Sequence, residues 1–103
     1  MKIEEVYMTS KRQAYEDKWD AQMDEWSAEI AVLNARADKS KAESRIEYLE
    51  TVEALQGKHA DAKTKLLELR AATEDGWEGL KTDAEKVWND VKSAFTSAAS
   101  RFK

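Results

Sequence analysis

No proline occurs among the 103 residues, glycine occurs three times, and cysteine is absent. Proline breaks helices and populates loops. A chain without it, with abundant Ala, Glu, Lys and Leu, has the composition of long helices. The lack of cysteine excludes disulfide staples and thiolate metal sites, and fits a reducing compartment. Strand-favouring residues are few and much of the apolar fraction is alanine, which argues against an ordinary compact core. No apolar run approaches the ~20 residues needed to span a bilayer. The first stretch, MKIEEVYMTSKRQ, has no apolar run and carries acids, so it does not read as a secretory signal. These absences describe one small, soluble, cytoplasmic domain.

What is present is charge and aromatic side chains. Charged residues make up 37%, yet the chain holds four Trp, three Tyr and two Phe. So many rings argue against a solvated, disordered chain. The net charge of -4 is unevenly spread, with 8 basic against 13 acidic residues in 1–57 and 9 against 8 in 58–103. An acidic front half argues against a nucleic-acid surface, which needs clustered Lys and Arg.

The rings fall in register. Trp19, Met23, Trp26, Ile30, Leu33, Ala37, Ser40 and Ser44 follow one another in alternating steps of four and three, a coiled-coil seam. Tyr15 and Met8 extend that stripe backward. Through NARADKSKAESR (34–45) alanine is the only apolar residue. A second seam then runs Tyr48, Val52, Leu55, His59, Ala62, Leu66, Leu69, Thr73. Its start is one residue out of phase with the first, a slip that relaxes a left-handed supercoil.

The expected boundaries are a frayed segment at 1–9, a long coiled-coil helix over 10–72, a hinge at 73–79 and an amphipathic return helix over 80–103. Ser10 with Gln13 forms a capping-box pattern at the start of the long helix. Thr73, followed by Glu74 and Asp75, is a natural N-cap with acids in the first turn, and Gly76 and Gly79 weaken helix there. Gly57 is the alternative point of reversal, although one glycine inside a helix costs only about 1 kcal/mol. The expected fold is all-α, a long-helix antiparallel coiled coil (a helical hairpin) oligomerising into a bundle. In it Trp19, Met23, Trp26, Ile30 and Leu33 lack an intrachain partner and form an interaction seam for self-association or a partner protein. The return helix carries a wide apolar face of Trp77, Leu80, Val87, Trp88, Val91, Phe95 and Phe102.

Few constellations carry chemistry. Glu43, Glu47, Glu50 and Glu53 cluster, but a di-iron bundle needs Glu-x-x-His pairs. The single histidine, His59, follows Gln56 at that spacing and sits in the seam, where it can tune register. Phosphate loops, nucleophile elbows and zinc-helix motifs are absent. The sequence therefore points to no enzyme, no metal and no cofactor. The return helix has a second reading as a peripheral lipid- or apolar-surface-binding helix. Its polar face mixes Lys81, Lys86 and Lys92 with Glu78, Asp83 and Glu85, a poor match to anionic lipid.

The stretches QMDEWSAEI (22–30), LRAATEDGWEGLKTDAEKVWNDVKSAF (69–95) and the ending AASRFK resemble a group of short bacterial coiled-coil proteins, some described as stress-response proteins. The resemblance spans roughly residues 11–103. It implies a small soluble helical protein with no known active site. The interaction protein expected from the seams would serve as a stress-related, assembly or scaffold factor.

Overall fold

In the computed structural model, backbone is described for residues 3–102 and side chains for residues 10–102. Three helices account for nearly all of it: α1 (Ile3–Asp38), α2 (Ala42–Ala71) and α3 (Glu74–Arg101). The fold is all-α and antiparallel, as the composition and seams imply. It has two reversals rather than one. Short turns make each helix antiparallel to the one before it, so α1 and α3 run parallel with α2 between them. The bundle measures 62 × 20 × 18 Å, well short of the ~95 Å that an uninterrupted helix over 10–72 would reach at about 1.5 Å per residue.

The long helix of 10–72 is thus divided, at Lys39–Lys41. This is the alanine-only stretch where the seam lost phase. Lys39 N–H and Ser40 N–H donate to the carbonyls of Arg36 and Ala37 at 3.2 and 3.1 Å, and Ser40 Oγ donates to Arg36 O at 2.7 Å. Lys41 is extended (φ -69°, ψ 159°) and starts α2. Arg45 then reaches back and donates to Ala37 O at 3.1 Å and Ser40 O at 3.0 Å. The exposed carbonyls at the end of α1 are satisfied by these groups.

The second reversal needs two residues, not the seven of the expected 73–79 hinge. Ala72 and Thr73 are extended, Thr73 Oγ1 accepts from Gly76 N–H, and α3 begins at Glu74. Gly76 and Gly79 lie inside α3, and Gly57 lies inside α2. Among the described residues no backbone φ is positive, so neither turn depends on glycine. Ser10 lies inside α1, which overturns the capping box. Of the frayed segment 1–9, residues 1 and 2 lie outside the described residues, as do the side chains of 3–9, including Met8.

The core follows the seams. Glu16, Trp19, Met23, Trp26, Ile30, Leu33 and Ala37 line the inner face of α1, and Val52, Leu55, Ala62, Leu66 and Leu69 that of α2. From α3 come Trp77, Ala84, Val91, Phe95 and Ala98. Helix α2 packs closely along both neighbours, whereas α1 and α3 meet through large rings.

Candidate interaction surface

The expectation that Trp19 and Trp26 await another chain is overturned by their burial. Trp19 is fully buried, and Trp26 is 3% exposed. Their partners come from α3, which runs beside them because the chain reverses twice. Trp19 and Trp26 lie 5.0 and 5.4 Å from the Trp88 ring, and Trp26 stacks on Phe95 at 5.3 Å. Tyr15 meets the edge of Trp77 at 5.5 Å. Each such pair contributes about 0.5–1.5 kcal/mol beyond its area burial. Met23, Ile30 and Leu33 are buried in the same core. On α3, Trp77, Val91 and Phe95 are buried, and Leu80, Val87, Trp88 and Phe102 pack partly buried against the core. The face read as a lipid-binding stripe is turned inward.

A polar network at one end of the bundle had no signal in the sequence. Glu16 is 6% exposed although charged. Its Oε2 accepts from Arg12 Nε at 3.0 Å and from the Trp77 indole N–H at 3.1 Å. Arg12 also donates to Leu69 O and Ala72 O, both at 2.8 Å, and to Arg70 O at 3.3 Å. It pairs with Glu74 at 3.5 Å. One guanidinium therefore caps the end of α2 and holds the start of α3. Its fork of five donors makes arginine suited to this. Nearby, Arg70 pairs with Asp20. Burial raises the Tyr15 phenol above its ordinary 10.0, and the Glu85 carboxylate adds to the rise. His59 Nε2 lies 3.1 Å from Met23 O, so the lone histidine ties α2 to α1.

Past Phe95 the rings that separate α1 from α3 give way to smaller residues, and a groove of about 550 Å³ opens between the two helices. Leu33, Leu55 and Phe95 line it from the core side, and Ala98, Ala99 and Phe102 from α3. Val32, 51% exposed, lines its α1 side between Glu29 and Arg36. Partial burial raises the Glu29 carboxyl, with repulsion from Glu25 adding to it. Ile46, Leu49 and Leu67 are the other large apolar side chains exposed among the described residues, but none of them lines the groove.

Among the described residues no group of three or more His, Cys, Asp or Glu side chains could hold a metal ion. No described helix is long and apolar enough to cross a membrane.

A family model described as the TMP repeat matches residues 77–87 and 88–98. These are tandem 11-residue units, WEGLKTDAEKV and WNDVKSAFTSA, each with an apolar residue three places after its Trp. Eleven residues are almost a whole number of helical turns, so Trp77 and Trp88 return to nearly the same face of α3 and meet successive rings of α1. Neither the curated proteins nor the solved structures searched gave a match to the chain. The repeat match, the heptad seams and the all-helical fold together describe a protein of coiled-coil type.

Proposed function

We propose that the protein is a non-enzymatic interaction protein whose working surface is the groove between α1 and α3, and that its occupant is an amphipathic helix. The carrying observation is the exposed Val32 beside a groove that reaches core residues Leu33, Leu55 and Phe95. Contiguous apolar surface of this kind marks interaction sites, and a helix lays its apolar face into such a groove. The inward orientation of Trp77, Trp88, Phe95 and Phe102 weighs against the lipid-binding alternative. A scaffold or assembly role suits a protein that works by helix association. The likeness to short bacterial coiled-coil proteins supports a stress-related setting.

The test uses dilute protein carrying an environment-sensitive dye at Val32→Cys, with Leu67→Cys as the control away from the groove. The probe is a synthetic amphipathic peptide of Leu, Ala, Glu and Lys. A blue shift at position 32 and none at 67 is expected. Equal responses, or none at either position, would remove the groove as the working surface.

A further inference from the structure

The groove's α1 side carries a charge pattern that the core does not use. Glu25, Glu29, Val32 and Arg36 are exposed on α1 and follow one another in steps of four, three and four, so they form one stripe along the helix; Lys39, also exposed, stands in the turn just past the helix end at Asp38. Its first half is acidic, its second half basic, and Val32 stands at the centre. None of these four charges makes an ion pair within the described residues. In the single chain the acidic half is unfavourable, since Glu25 and Glu29 repel at i,i+4 within α1.

Turning the stripe end over end about Val32 places Arg36 close to where Glu29 was and brings the turn that carries Lys39 toward Glu25. The stripe is complementary to an antiparallel copy of itself and not to an in-register parallel copy, in which like charges would face each other. Such self-complementarity is what an isologous two-fold interface requires, and flanking charges set partner and orientation in helix pairs.

We propose that the groove is filled by α1 of a second copy, packed antiparallel about Val32. Each end of the contact is closed by Glu29 of one copy against Arg36 of the other, with Glu25 and Lys39 beyond them. This rests on the groove being the working surface. The contact also relieves the repulsion within each stripe. Because α1 ends at Asp38, only its last few turns overlap. The two 62 Å bundles then extend in opposite directions as a rod of about 100 Å, given ~1.5 Å of rise per overlapping residue.

Sedimentation equilibrium of the full chain across concentration, with X-ray scattering for length, tests this. The unaltered chain is expected to form a dimer of that length. Glu29→Arg and Arg36→Glu, both exposed changes, are each expected to give a folded monomer, because each sets like charges together twice. The double swap should restore the dimer, and mixing the two single variants should give a heterodimer. Circular dichroism verifies that every variant is helical. A monomer at all concentrations overturns the second copy, while the dye response at position 32 separately decides whether the groove takes a helix. A dimer that ignores the single swaps, or that the mixture fails to re-form, also overturns the antiparallel pairing.

Discussion

The single side chain of Arg12 joins all three helices. It reaches from α1 to the last carbonyls of α2 and to Glu74 of α3, and it pairs with the buried Glu16. A charge as enclosed as Glu16 is tolerated only when paired and hydrogen-bonded. Removing Arg12 would leave that carboxylate with the Trp77 indole at 3.1 Å and Arg70 at 4.0 Å. The expected cost of Arg12→Ala is about 2–4 kcal/mol, from the broken buried pair and the uncapped carbonyls. Urea unfolding should show a lower midpoint with an unchanged slope. A loss below about 0.5 kcal/mol, the range of ordinary surface changes, would show that the network is decorative.

At the scale of elements, the turns explain how two reversals form without glycine or proline. Both use residues in extended conformation that any amino acid adopts, at Lys41 and at Ala72–Thr73. In each case an arginine from another segment ties down the helix end, Arg45 for α1 and Arg12 for α2. The glycines, in contrast, serve no turn. A Cβ added at Gly57 would meet nothing within 4 Å. Gly57→Ala is therefore expected to stabilise the protein by about 0.5–1 kcal/mol, through helix propensity and a less free unfolded chain. A raised midpoint in thermal melts checks this. A lowered midpoint would mean that the chain bends at Gly57 after all.

At the scale of the molecule, the second reversal decides what the tryptophans are for. In a two-helix hairpin the Trp19–Trp26 segment would lie bare and drive assembly. In the three-helix bundle it is core, and the surface left for association is the smaller groove beyond Phe95. Replacing both Trp19 and Trp26 by Ala should then damage the fold before it changes the assembly state. Each large-to-small change in a core costs about 3–5 kcal/mol, against a total stability of about 5–15 kcal/mol. The double variant is expected to lose most of its helical circular dichroism at room temperature. A variant that keeps its helix and its melting point would overturn the burial described above.

Helix, seam and inward face were legible in the sequence because they are local properties. A side chain recurring every three and four residues lands on one stripe of a helix whatever lies opposite, so Trp19, Met23, Trp26, Val52, Leu55 and Leu66 could be assigned to apolar seams without coordinates. The break after Asp38 left a trace as well, in the phase slip and in the stretch 34–45 whose only apolar residue is alanine, but a turn closed by one extended residue, Lys41, uses no special residue type and so sends no signal of its own. The Arg12 cap and the Glu16–Trp77 contact were not legible, because they join residues 57 to 61 positions apart. Which partner covers a seam is likewise a property of the path of the whole chain. Only the tertiary structure set α3 beside α1, and so turned an expected interface into a core and left Val32, with its flanking charges, facing solvent.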